Sequence, residues 1–105
     1  MVIVADHLVL DPRQRETYLQ GCRDVVDQAR RAPGCLDFAV TADRLDSSRV
    51  DIFERWESQA SDAFRGSGPR DEQTSAVISA TVVEYDVTGE RRLTSCPTEC
   101  IELSP

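Results

Sequence analysis

The sequence predicts an α+β domain of ferredoxin-like type. In that type a β-α-β-β-α-β order folds into a four-stranded antiparallel sheet with both helices on one face. Three observations lead there. Stretches rich in β-branched and aromatic residues recur at positions 2–10, 35–41, 49–57 and 81–87, and several alternate apolar with polar residues at the period of a strand. Helical patterning separates the first from the second and the third from the fourth. The short connection at Asp46-Ser47-Ser48 makes strands two and three an antiparallel hairpin.

Residues 2–10 form the first strand on their β-branched content. Asp11-Pro12-Arg13-Gln14 then starts a helix, with Asp11 as N-cap, Pro12 at the first helical position and Gln14 placed for a capping box. Tyr18, Leu19, Cys22, Val25, Val26 and Ala29 recur at three- and four-residue spacing and give that helix one apolar stripe. Arg30 and Arg31 suit the negative end of its dipole, and Pro33-Gly34 ends it. Leu36, Phe38 and Val40 share a face of the second strand; Val50, Ile52, Glu54 and Trp56 share a face of the third. Ser58 is the N-cap of a second helix carrying Ala60, Ala63 and Phe64. Gly66-Ser67-Gly68 breaks it, and Pro69 restarts a helix reaching Val77 and Ile78. Thr81, Val83, Tyr85 and Val87 share a face of the last strand. The domain thus covers residues 1–88, and the polar, Pro-containing residues 89–105 are an extension, flexible or draped over a partner subunit.

Composition narrows the function. A chain of 105 residues holds one core, and a net charge of −7 argues against nucleic acid and anionic membranes as partners. No run approaches the roughly 18 apolar residues of a membrane span, and the first residues lack the basic start of a signal peptide. The expectation is a cytoplasmic protein with reduced thiols. Cys22 and Cys35 read as small buried hydrophobes, while Cys96 and Cys100 sit in the tail without the paired spacing or nearby histidine of a zinc site, so no metal is expected. No Gly-rich phosphate loop or G-x-S-x-G nucleophile motif is present, and no nicotinamide or flavin cofactor is expected.

Two groups suit proton abstraction. His7 is the sole histidine, and imidazole is a side chain able to accept a proton at neutral pH. Glu54 shares a face with Ile52 and Trp56, so burial there raises its pKa and makes it a rival base. Each also has a structural reading, as a dimer contact for His7 and an ion pair for Glu54. Trp56 is either core or the wall of a pocket for a flat apolar ligand, and Phe38, Phe64 and Tyr85 are further wall candidates. The sheet face away from the helices, with Ile3, Ala5, Val9 and Phe53 as candidates, has nothing in the chain to cover it and predicts a homodimer.

Asp11-Pro12, the run Arg31-Ala32-Pro33-Gly34-Cys35-Leu36-Asp37-Phe38, Glu54-Arg55-Trp56-Glu57-Ser58 and Phe64-Arg65-Gly66-Ser67-Gly68-Pro69 resemble the antibiotic biosynthesis monooxygenase domain family over about residues 2–88. The resemblance implies a dimeric α+β barrel and a small aromatic or polyketide-like substrate. It also implies one of two chemistries: cofactor-free oxygenation of anthrone-like compounds, or heme degradation. Trp56 matches the pocket tryptophan of both branches. The anthrone-oxidising branch has an asparagine where this chain has Ile52 and a tyrosine where it has Asp62. The heme branch has an asparagine that aligns best with His7, and an iron-ligating histidine on the later helix where this chain has none. The expectation is therefore a cofactor-free monooxygenase with His7 or Glu54 as base and Trp56 as wall and N–H donor. Phe38, Ile52, Phe64 and Tyr85 bind the substrate. A cofactor-free isomerase, cyclase or decarboxylase, or a non-catalytic binding dimer, are the alternatives.

Overall fold

The computed structural model describes residues 1–59 and 76–94. Strand β1 is Val2–Leu10, helix α1 Arg15–Gly21, helix α2 Arg23–Arg31, strand β2 Cys35–Ala42, β3 Arg49–Trp56 and β4 Val77–Asp86. The strands form one sheet in the order β2-β3-β1-β4, with every pairing antiparallel. This is the ferredoxin-like topology that the sequence predicts. The barrel implied by the resemblance is corrected: β2 and β4 each have one strand neighbour, so the sheet is open with two edges. Four strands span too little arc to close on themselves; small barrels need about eight.

Alternation sorts the side chains. Val2, Val4, Leu8 and Leu10 of β1 lie buried on the same side as Val50, Ile52 and Trp56 of β3 and Phe38 of β2. Tyr18, Cys22, Val25 and Ala29 of the helical segment pack onto that side in two clusters, one around Trp56 and Phe38, the other around Leu10 and Tyr18. The other side carries Ile3, Ala5, His7 and Val9, paired with Phe53, Val83 and Tyr85 on the flanking strands. Phe53 is 38% exposed, Val83 39% and Tyr85 53%, so no described element packs over this apolar face.

The predicted helix start is present in modified form. Asp11 accepts from the Arg13 backbone N–H at 2.9 Å, and Pro12–Gln14 make a 3-10 turn before α1. One apolar stripe spans both α1 and α2, which meet at Cys22, where the backbone N–H bonds to both Tyr18 and Leu19 carbonyls. The chain leaves α2 through Gly34 at φ 83, a left-handed conformation that glycine adopts without a Cβ penalty. The Gly34 carbonyl then accepts from Glu57 N at 2.8 Å and ties this turn to the end of β3.

Two expectations about strands are revised. A bulge between Cys35 and Asp37 takes Leu36 off the face of Phe38 and leaves it 43% exposed. Val77 and Ile78, expected at a helix end, belong to β4, where Val77 pairs with Leu10 across a second irregularity. Their β-branched side chains favour a pleated strand over a helix. The rest of the expected second helix, with Phe64, and the Cys96 and Cys100 tail lie outside the described residues.

The β2–β3 connection is held from the helix. Arg15 Nη1 donates to the carbonyls of Asp46 at 2.8 Å, Asp43 at 3.1 Å and Arg49 at 3.4 Å. Arg15→Ala removes a charged donor from three carbonyls and is expected to cost about 1–2 kcal/mol by urea denaturation. No helix among the described residues is long and apolar enough to cross a membrane.

Candidate functional site

The two core clusters are not joined by apolar side chains alone. In β1 the run of Val2, Val4, Leu8 and Leu10 is interrupted on the same face by Asp6, and in β3 the run of Val50, Ile52 and Trp56 is interrupted by Glu54. Asp6 is 6% exposed and Glu54 0%. Val4 pairs with Glu54 and Asp6 with Ile52, so the two carboxylates are diagonal neighbours on adjacent strands, roughly 7 Å apart at Cβ. Buried carboxylates are expensive unless paired or protonated, so two of them in one apolar layer mark this place as unlike a plain core.

Trp56 organises one half of the layer. Residues 54 and 56 lie two apart in a strand and therefore share its face, and the indole N–H donates to Glu54 Oε1 at 2.9 Å. Phe38 meets the indole edge to face, with ring centroids 6.5 Å apart and planes at 75°. The indole is fully buried, held on one side by the ring and at its nitrogen by the carboxylate.

Asp6 has a different environment. Its Oδ1 makes no hydrogen bond among the described residues. Burial, and secondarily the negative charge of Glu54, push its pKa from 3.8 up to about 7. Tyr18 of α1 lies over the same layer, and its phenol is raised well above its usual range, first by burial, then by Cys22, and least by the charge of Asp6. The layer therefore holds a carboxyl that changes protonation near neutral pH, beside a second carboxylate anchored by an indole. Such a pair can take up and release one proton under mild conditions.

The site residues expected from sequence divide by face. Glu54, Trp56, Phe38 and Ile52 are together on the helix side. His7 pairs with Asp51 and Thr81 on the opposite side of the sheet, away from Trp56. Tyr85, opposite Ile3, is on that same bare side. Phe64 lies outside the described residues. Asp6 was not singled out by the sequence reading, although its parity with Val4 and Leu8 in an alternating strand places it inward. Among the described residues, no group of three or more His, Cys, Asp and Glu side chains is placed to hold a metal ion.

Among the described residues, α1 and α2 pack over β1, β2 and β3 on the helix side. Ala80, Val82 and Glu84, the β4 partners of Leu8, Asp6 and Val4, are all exposed, Val82 by 52%. Asp6 therefore joins the packed layer to the β4 residues on the same face. Gln59, just beyond β3, donates from Nε2 to Glu84 and Asp86 of β4, at 3.3 Å each.

Comparison with known proteins agrees with this architecture. A provisionally named antibiotic biosynthesis monooxygenase from Deinococcus radiodurans superposes with a TM-score of 0.72 at 17% identity, over 90% of this chain and 100% of that one. A protein of the same description from Nitrosomonas europaea gives 0.73 at 17% identity, over 85% and 100%. A heme-degrading protein from Mycobacterium tuberculosis, solved with two hemes in its active site, gives 0.62 at 13% identity, over 88% and 100%. At these identities the likeness is one of fold. No curated protein matches the sequence. The sequence profile described as antibiotic biosynthesis monooxygenase matches residues 1–73, well over half of the chain, and the protein belongs to that family.

Proposed function

We propose that this chain is an oxygenase for an aromatic or polyketide-like compound, in which a buried carboxylate removes an acidic proton and the substrate anion reacts with O2 without a cofactor. The observation that carries this reading is Glu54, fully buried among apolar side chains and held by the Trp56 indole at 2.9 Å, in a chain of this family. His7, on the far side of the sheet, is not part of this site. For a methylene activated by flanking rings or a carbonyl, a proton passes to the carboxylate and the carbanion forms a C–O bond with O2. The proton returns to the peroxide oxygen, and loss of water leaves a ketone. The sum, CH2 + O2 giving C=O + H2O, balances without a reductant. The apolar layer favours the step by keeping water from the anion, and the indole N–H is a donor near the developing charge. Heme does not fit the layer, because the chain's one histidine faces away from Trp56.

Two copies pair through the bare sheet face, where Ile3, Ala5, Val9, Phe53, Val83 and Tyr85 are exposed or half-buried. Light scattering is expected to give twice the 11.7 kDa chain mass, and Phe53→Asp to return it to one chain mass while circular dichroism stays unchanged. A cytoplasmic setting would keep the thiols of Cys22 and Cys35 reduced.

Oxygen uptake tests the reaction. Protein treated with a chelator is given 1,8-dihydroxyanthrone and related hydroquinones in an oxygen electrode. Uptake above autoxidation is expected, at one O2 per substrate and at least about 10-fold lower in Trp56→Phe. Turnover without oxygen consumption points instead to an isomerase, cyclase or decarboxylase. Binding without turnover points to a non-catalytic binding dimer.

A further inference from the structure

The geometry points to a second binding site, at the β2 edge of the sheet, for a small organic anion with an apolar body. Its carboxylate lies on Arg30 and Arg23, and its body lies along Leu19, Val26, Val40 and Ala42. Glu54 and Trp56 do not line this place, and binding there needs no turnover, so the site stands or falls apart from the oxygenase reading.

Helices α1 and α2 and the edge strand β2 bound a cleft of about 410 Å³, within the roughly 300–1,000 Å³ usual for small-molecule sites. Leu19 from α1, Cys22 at the helix junction, Val26 from α2, and Val40 and Ala42 from β2 give it apolar walls. Arg23, Asp27 and Arg30 recur along one side of α2 at four- and three-residue spacing and form its polar rim. Gln59 bonds to Glu84 and Asp86 of β4, and Val77 opens that strand. Both described ends of the β3–β4 connection therefore lie at the opposite edge of the sheet, three strands from β2.

Arg30 is positioned to receive a carboxylate. Its Nε donates to the Phe38 carbonyl on the edge of β2 at 2.8 Å, which fixes the side chain and leaves the two Nη groups as a fork. That fork matches the two oxygens of a carboxylate, and holding it in advance lowers the entropy cost of binding. The chain has 19 acidic residues against 12 basic ones, so acids to neutralise an arginine are plentiful. Yet among the described residues neither Arg23 nor Arg30 forms an ion pair, while Asp27 on the same rim pairs with Arg31 at 3.3 Å. Two guanidinium groups without acid partners, one of them tethered, favour an anion at this rim. A bare inorganic anion gains only these two cations and is disfavoured by the net charge of −7. An amphipathic carboxylate also buries its body against the apolar walls, which supplies most of its affinity. An uncharged amphiphile leaves the fork unused, and a cationic one meets like charge.

Titration of the isotope-labelled protein with octanoate, followed through its amide NMR signals, tests the site. Saturable shifts are expected at Leu19, Val26, Val40 and Ala42, and acetate, which lacks the apolar body, is expected to give none. Both 1-octanol and octylammonium are expected to bind at least about 10-fold more weakly than octanoate. Arg30→Gln keeps a donor for the Phe38 carbonyl but loses the charged fork, and is expected to weaken octanoate at least about 10-fold. Arg23 forms no ion pair among the described residues, so Arg23→Gln leaves the fold intact and is expected to weaken octanoate about 3-fold. Neither variant is expected to change the binding of 1-octanol. No saturable shift with octanoate, shifts confined to residues outside the cleft, octylammonium binding as tightly as octanoate, or unchanged octanoate affinity in either variant each overturns the assignment. Cleft signals that move with protein concentration alone would place a second copy of the chain there and overturn it as well.

Discussion

Trp56→Ala is expected to destabilise the fold by about 3–5 kcal/mol, read as a lower midpoint in chemical denaturation. The side chain is fully buried and belongs to the cluster with Val2, Val4, Val25, Ala29 and Phe38, which spans β1, β2, β3 and α2. Truncation leaves a large cavity in a close-packed layer and removes the edge-to-face partner of Phe38. It also takes away the donor to Glu54 Oε1, leaving that buried oxygen without its indole N–H. Against the roughly 5–15 kcal/mol that stabilise an ordinary domain, the loss is a large fraction. Trp56→Phe keeps most of the volume and loses only the donor, so about 1–3 kcal/mol is expected. A near-neutral Trp56→Ala would mean that Trp56 is not packed as described.

Asp6→Asn is expected to do the reverse: to stabilise the protein, increasingly as pH rises from about 4 to 7. The folded state raises this carboxyl from 3.8 to about 7, so between those values the folded chain holds a proton that the unfolded chain has released. Stability therefore falls as pH rises from about 4 to 7 and stays at the lower level above. The full shift corresponds to at most about 4 kcal/mol. Asparagine does not ionise, so the difference between Asp6→Asn and wild type should be small near pH 4, grow through the interval and level off above pH 7. Because every other carboxylate is common to both proteins, the difference isolates Asp6. A gain of about 1–3 kcal/mol at pH 8 is expected from urea denaturation, smaller than the limit because the asparagine amide also needs hydrogen bonds. A loss at pH 8 would mean that the charged form is paired.

An ionisable group kept in surroundings that disfavour its charge is a recognised mark of a functional site. The core clusters above and below Asp6 and Glu54 contribute to the folding stability that tolerates this unfavourable layer.

Much of the scaffold was legible in the chain. The alternation of residues 49–57 sorted Val50, Ile52, Glu54 and Trp56 to one face, and the 3.6-residue period chose Tyr18, Cys22, Val25 and Ala29 as the buried stripe. Ile3, Ala5, Val9 and Phe53 do lie on the bare face. What sequence did not show depends on register between strands. His7 drew attention because imidazole titrates near neutrality when free, whereas Asp6 acquires that property only through burial beside Glu54, which no local pattern reveals. Tyr85 has the right spacing within β4, but only the pairing with Ile3 places it on the side away from Trp56. The bulge before Asp37 and the break at Cys22 are local irregularities that leave the apolar pattern almost unchanged.

A site-resolved NMR titration of the Asp6 carboxyl carbon, in wild type and in Glu54→Gln, most directly tests whether this layer holds a proton acceptor poised for neutral pH. A midpoint near 7 that falls when the Glu54 charge is removed is the expected result. A midpoint near 4 in both proteins would show an ordinary solvated aspartate and contradict the site described here.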